Sequence, residues 1–286
     1  MTVSDTLREL NEHRTITAPS PLSAVLDAAE RAGKLNLRTE EIVSAMPGVG
    51  PEALRQALHR QQRRGRLIRL SRGSDHWLIV PLQHAAAGAP PLETWLDRYL
   101  TKTLNTPYYV ALLSAAETYG ASPYGVMVTQ VMVPERRRPI TVGRHEVVFH
   151  TRARIESMPT RWHETPDGRF KVGTPELTAL ELVERAALVG GMARVREVLR
   201  ELWPSCTPQG LTQALEALQE IPSAQRLGVL LALEEQDALA SRVAEWLRDK
   251  PLRLIPLERG QTRDTSPDVD TAFKVRLTAD ARSANT

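Results

Sequence analysis

Cysteine is nearly absent from this chain. Cys206 is the only one in 286 residues, so no disulfide within the chain and no paired-cysteine zinc spacing is possible. No stretch approaches 18 consecutive apolar residues, which argues against a helix that crosses a membrane. The opening segment MTVSDTLRELNEHRTITAP lacks the apolar run of a secretory signal. Neither a phosphate loop nor a Rossmann glycine pattern occurs. Lysine is also scarce, supplying five of 37 basic residues. Arginine dominance suits contacts to phosphate and guanine, and a GC-rich genome would produce the same bias. These absences lead to the expectation of a cytoplasmic protein with no membrane contact, no cofactor, no metal and no catalytic residues.

What is present is an uneven charge. The net charge is +3, and the hydrophobic fraction of 42% is enough for an ordinary core. The length suggests two domains. Residues 51–72 carry seven arginines against the single carboxylate Glu52. From residue 93 onward 25 basic and 25 acidic residues cancel. Positive charge focused on one short segment is the footprint of a nucleic-acid surface.

That segment lies in a readable pattern. Leu22, Val25, Leu26 and Ala29 form one helical stripe, with Ser20 as cap, Pro21 in the first turn and Gly33 as stop. Leu35–Leu37 reads as a short strand, and Thr39 as the cap of a second helix with Ile42, Val43 and Met46. Pro47–Gly50 breaks it, and Pro51 opens a third helix that Gly65 ends. The runs RLIRL and HWLIV then read as a hairpin. Helix, strand, helix, turn, helix, hairpin is the order of a winged helix-turn-helix, whose third helix enters the major groove. On that helix Leu54, Ala57 and Leu58 share one side, and Glu52, Arg55, Gln56, His59, Arg60 and Arg63 the other. Arginine pairs with guanine, glutamine with adenine, and Glu52 can accept from a cytosine amine. Arg66, Arg69 and Arg72 on the wing suit phosphates or a minor groove.

The chain is therefore expected to be α+β: a winged helix-turn-helix over 1–82, a linker over 83–92, and a second domain over 93–286. Within the latter an α/β part (about 93–188) precedes a helical part (about 190–250) and a final strand (about 272–277). Trp95, Leu96, Tyr99 and Leu100 mark an amphipathic helix, and a further helix is expected over Tyr108–Tyr119. Val126–Val133 reads as a buried strand, Pro139–Val142 and His145–His150 as a hairpin about Gly143-Arg144, and Phe170–Val172 as another strand. Thr174-Pro175-Glu176 is a helix start. Helices follow over about 175–188, 192–202, 208–219, 224–234 and 236–248. The segment 260–270 reads as polar and loose.

His145, His150, His163 and Glu164 suggest a metal nuclease. Yet His145 and His150, five apart on one strand, face opposite sides, and His163 reads as part of a polar loop. Glu164 and Asp167 fall in the same loop, Thr160–Gly168, with nothing to make them an acid–base pair. Cys206 beside Thr207-Pro208 reads as a neighbour of a helix cap. Arg136, Arg137 and Arg138, with Arg144, Arg152 and Arg154, form a second basic cluster around the hairpin, fit for nucleic acid or an acidic partner, or simply a solvated rim.

Several segments together resemble the AbiEi-type antitoxins of abortive-infection, type IV toxin–antitoxin systems. They are the winged helix, Pro107–Ala116 (PYYVALLSAA), Gln130–Val133, Val147–His150 and Val172–Val183 (VGTPELTALELV). The last strand, Phe273–Leu277, also sits where such proteins end. The resemblance implies that the first domain represses its own operon by binding inverted repeats in double-stranded promoter DNA. It implies that the second counteracts a nucleotidyltransferase-like toxin encoded beside it, without a stable complex. Two alternatives stay open: a plain winged-helix regulator with a ligand-sensing second domain, and a DNA-tethered nuclease.

Overall fold

The computed structural model describes residues 20–70, 74–122, 125–258 and 268–277. The chain divides into two compact units between Pro90 and Pro91.

In the first unit, Ser20 accepts from the Ser23 amide at 3.3 Å and starts helix α1 (Pro21–Arg31). Gly33 closes it with φ +67°, a left-handed conformation that costs glycine little. Strand β1 (Asn36–Arg38) leads into α2 (Thr39–Ser44), and α3 spans Pro51–Arg63. Thr39 was expected to cap α2. Instead it is the first helical residue, and its hydroxyl donates to the Asp75 carbonyl and accepts from Trp77 Nε1, both at 3.0 Å. The helix start is fixed by Glu41, which accepts from the Arg38 amide at 2.8 Å. Strands β2 (Leu67–Arg69) and β3 (His76–Ile79) complete an antiparallel sheet of order β1-β3-β2. Leu22, Leu26, Ile42, Leu54, Leu58, Leu67, Trp77 and Ile79 form its core. Burying each leucine contributes about 1.5–3 kcal/mol, which pins the inner face of α3 and so decides its outer face. Gln61 belongs to the inner face, buried and donating to Ser23 Oγ at 2.9 Å. Where a linker was expected, Leu82–Ala87 form a short 3-10 helix.

The second unit is built on a six-stranded mixed sheet. Its strands are β4 (Tyr109–Val110), β5 (Thr129–Val133), β6 (Ile140–Val142), β7 (His145–Thr151), β8 (Thr160–Thr165) and β9 (Gly168–Gly173). Their order is β6-β7-β5-β4-β9-β8. The expected β6–β7 hairpin is present, with Ile140 opposite Val147. Two expectations fail here. Tyr109–Val110 is a strand, not the start of a helix, paired to β5 on one side and β9 on the other; α4 begins only at Leu112 and ends at Thr118. Thr160–Thr165 is not a loop but a strand paired along its length with β9. Short helical turns over Leu92–Thr94, Leu96–Arg98 and Tyr99–Thr103 stand where one amphipathic helix was expected.

Thr174 accepts from the Leu177 amide and starts α5 (Pro175–Glu184), the central helix, buried from Pro175 to Val183. Around it lie α6 (Met192–Leu202), α7 (Pro208–Leu218), α8 (Ile221–Leu233) and α9 (Asp237–Leu247). They share one core with Tyr109, Met132 and the sheet-side face of α4. Buried Glu176 ties α5 to α7 by accepting from the Thr207 amide at 2.8 Å and its hydroxyl at 3.0 Å. A small sheet of order β10-β12-β11 (Ile255–Pro256, Val269–Asp270, Val275–Arg276) packs on α8, where Gln225 Nε2 donates to the Phe273 carbonyl at 2.6 Å. The final strand is thus two residues, not six, because Thr271–Lys274 form a turn with Lys274 at φ +53°.

Candidate nucleic-acid interface and the second unit

The hydrophobic face of α3 turns Leu54, Ala57, Leu58 and Gln61 inward. Arg55, Gln56, His59, Arg60 and Arg63 are left on the exposed face, with Glu52 at its first turn. From Arg55 to Arg63 that face runs about 12 Å along the helix axis. The first turn is internally paired. Glu52 accepts from Arg55 through Oε2 and from Gln56 Nε2 at 3.2 Å through Oε1. Arg55 and Gln56, two of the side chains able to read a base edge, are thus gathered on one exposed carboxylate. The i,i+3 and i,i+4 spacing of Glu52 to Arg55 and Gln56 is visible in the sequence and marks this pairing.

The arginines after Gly65 separate. Arg66 does not join the α3 face: its guanidinium reaches Asp27 at 2.5 Å and Glu30 at 3.0 Å on α1. Burial disfavours its charge, but the hydrogen bonds to those two carboxylates outweigh this and hold its pKa above the ordinary value. Arg69 is exposed on β2 with its guanidinium 4.6 Å from the centroid of the Trp77 ring. Arg72 lies outside the described residues. His76, buried on β3, has its pKa lowered by that burial.

In the second unit the arginine triplet is not uniform. Arg136 and Arg138 are exposed, as is Arg144 at the tip of the β6–β7 hairpin. Arg137 is half-buried and donates to Thr106 Oγ1. Arg152 is drawn into the interior. Its Nε donates to Glu181 at 2.9 Å, and its other arm reaches Glu184. Tyr109 donates to the same Glu181 oxygen at 2.5 Å.

The histidines sort by strand geometry. His145 and His150 both lie on β7, where the alternation of side chains sends them to opposite faces. His163 sits on β8 with its ring 5.1 Å from that of Phe170. His145 and His163 both line one cavity of about 440 Å³, together with Val110, Ser114, Glu117 and Thr129. Among the described residues no three His, Cys, Asp or Glu side chains are placed to share a metal ion. Burial, and then Arg185 nearby, lower the pKa of His150. Cys206 is also shielded: burial raises its thiol to about 12, far from the range of a nucleophilic thiolate. Sequence reasoning passed over Trp162, which is 40% exposed on β8. The signal was available as a lone tryptophan in a polar, charged segment.

Residues 109–233, from β4 through α8, match the family model described as the AbiEi antitoxin C-terminal domain. This chain carries an AbiEi-type antitoxin domain. Of the segments that carried the resemblance, Gln130–Val133, Val147–His150, Val172–Val183 and most of Pro107–Ala116 fall within that match, and the first domain and Phe273–Leu277 lie outside it. An antitoxin role in a toxin–antitoxin system goes with the domain. The crystal structure of the RV2827C protein from Mycobacterium tuberculosis is similar in fold, with a TM-score of 0.63 at 17% identity over 91% of this chain and 92% of that one. No curated protein matches the chain. Among the described residues no helix is long and apolar enough to cross a membrane.

Proposed function

We propose that this protein is the antitoxin of a type IV toxin–antitoxin system and the repressor of its own operon. The observation that carries the reading is the AbiEi antitoxin domain at residues 109–233. In this reading the first unit is a winged helix-turn-helix. Its α3 enters the major groove of inverted repeats in the promoter, where a helix of ordinary diameter fits a groove about 12 Å wide. Support comes from the five polar side chains, three of them arginine, on the exposed face of α3. Arg69 and Arg72 are assigned to the wing. Arg66 is not needed as a DNA contact, since two carboxylates already hold it. The second unit counteracts a nucleotidyltransferase-like toxin without a stable complex, in the cytoplasm and without catalysis of its own. The hairpin arginines Arg136, Arg138 and Arg144 are its assigned functional surface.

Two measurements on the full chain test the two halves. In a mobility-shift titration, its own promoter should be preferred over random duplex. Affinity should fall with salt with a log–log slope of about −4 to −5 for five phosphate contacts. In a growth assay, the protein should rescue cells in which the adjacent nucleotidyltransferase gene is induced. A flat salt response removes the repressor half, and failure to rescue removes the antitoxin half.

A further inference from the structure

The outer hairpin of the second unit's sheet carries a feature that neither DNA reading by α3 nor the β6–β7 arginines account for. Strand β8 is the edge of the sheet among the described residues, paired on one side only, to β9. Trp162 stands on it, 40% exposed. The register sets Trp162 opposite Lys171 and Glu164 opposite Arg169, so these four side chains share one face of the hairpin. Arg169 lies 4.4 Å and Lys171 5.5 Å from the centroid of the indole ring. Glu164 sits 3.6 Å from Arg169. Arg161, the neighbour of Trp162 on the strand, points to the other face and stacks over Tyr119 at 4.3 Å. The result is an exposed aromatic ring on a rigid strand, with two cations at its face.

A tryptophan left 40% exposed at a sheet edge contributes little to the core. Like-charged Arg169 and Lys171 gathered at one ring make a local excess of positive charge. An aromatic platform with cations alongside is what single-stranded nucleic acid engages: a base stacks on the ring, and its phosphates meet the cations. Duplex DNA does not fit, because its bases are already stacked and offer no free face. We propose that the β8–β9 hairpin binds single-stranded nucleic acid, with Trp162 stacking on a base and Arg169 and Lys171 contacting the flanking phosphates. The proposal is independent of the repressor and antitoxin readings above.

The test uses the full chain, with labelled twelve-nucleotide oligo(dT) and oligo(U) and a promoter duplex as ligands. Trp162 is the one exposed tryptophan among the described residues, so stacking should quench a solvent-exposed component of the tryptophan emission. By fluorescence anisotropy, Trp162→Ala should weaken single-strand binding about tenfold or more, while Trp162→Phe retains most of it. The double variant Arg169→Gln with Lys171→Gln should weaken it and flatten its salt dependence. None of these should change promoter-duplex affinity, and Arg60→Ala should leave single-strand binding intact. Equal affinity for the two oligonucleotides confirms the shared base-and-phosphate chemistry; preference for one names RNA or single-stranded DNA as the source. The proposal is overturned by absence of single-strand binding at low salt or by wild-type affinity in Trp162→Ala. It is equally overturned by loss confined to Arg60→Ala, or by a glutamate-rich peptide binding at Trp162 where the oligonucleotides do not. If Trp162→Ala does not fold, wild-type affinity in the glutamine double variant is the overturning result.

Discussion

The Tyr109 hydroxyl donates to Glu181 Oε1 at 2.5 Å across 72 residues of chain, joining the middle of the sheet to the helix buried against it. Glu181 is fully buried, and its second oxygen, Oε2, has no hydrogen-bond partner. Burial therefore pushes its pKa up to about 6, against the opposing pull of Arg152. The folded protein thus holds this proton to higher pH than the unfolded chain does. The stabilising contribution is complete below about 4.5 and is lost as pH rises through about 6. Melting temperatures of wild type and Glu181→Gln across pH 4–8 should show the wild type losing ground to the variant over that window, with no further change above it. A wild-type advantage that grows with pH would mean that the ion pair with Arg152 prevails over desolvation. Tyr109→Phe should cost about 1.5–3 kcal/mol at neutral pH, the range for a hydrogen bond to a charged group.

Gly228 on α8 faces the Phe273 ring so closely that an added Cβ would overlap the ring carbons. Phe273 is buried and belongs to the turn before β12. Gly228→Ala should lower stability by about 1–3 kcal/mol through overpacking. Pairing it with Phe273→Leu should recover part of the loss, as read by denaturant unfolding. An unchanged midpoint in Gly228→Ala would show that the turn shifts freely off α8.

The helices were legible where punctuation and periodicity agree. Ser20-Pro21, Pro51 with Gly65, and Thr174-Pro175 each mark an end, and the stripes between them are the buried faces. Tyr109–Val110 was misread because two residues are too few to display a period of two, and the helical run that follows absorbed them. Thr160–Thr165 was misread because an edge strand has little to bury: Arg161, Trp162 and Glu164 are all exposed, so no apolar alternation is written there. The pairing of Arg66 was not legible, because its partners lie 36 and 39 residues away on α1. Local sequence carries no trace of that pairing. The exposed face of α3 was legible, because Leu54, Ala57 and Leu58 define its opposite.

Arg60 and Arg66 should therefore separate under substitution. Arg60→Ala should weaken promoter binding and reduce the salt slope by about 1, with no change in melting temperature. Arg66→Ala should instead lower the stability of the first unit by about 0.5–1 kcal/mol, because its pairs are partly exposed. The folded fraction should keep its affinity. Equal loss of affinity in both variants would return Arg66 to the interface.

Glu52 holds Arg55 and Gln56 in the free protein and must release them, or carry them along, when α3 meets base edges. Arg55→Ala or Gln56→Ala should cost about 1–3 kcal/mol on the preferred operator and relax base choice. Glu52→Gln removes a charge that phosphates repel and frees Arg55 from its partner. It should raise affinity for duplexes of any sequence and narrow the gap between operator and random DNA. Binding curves on both duplexes decide this. A variant that loses affinity on both would make Glu52 a positive contact.

The arginine triplet of the second unit offers a test of the antitoxin surface, because its members differ in what they touch. Arg136 and Arg138 are exposed, whereas Arg137 donates to Thr106, itself buried, and has a buried Nε. Exposed charges contribute little to stability, while a half-buried arginine leaves an unpaired partner when removed. Arg136→Ala with Arg138→Ala should leave the melting temperature and promoter binding unchanged and should weaken rescue in the growth assay with toxin induced. Arg137→Ala should lower the melting temperature and reduce rescue only in step with the loss of folded protein. Reversing both exposed charges to glutamate should abolish rescue if the partner is acidic or carries phosphate, a larger effect than neutralisation. Full rescue by the glutamate double variant, at wild-type protein levels, would remove this hairpin from the antitoxin surface.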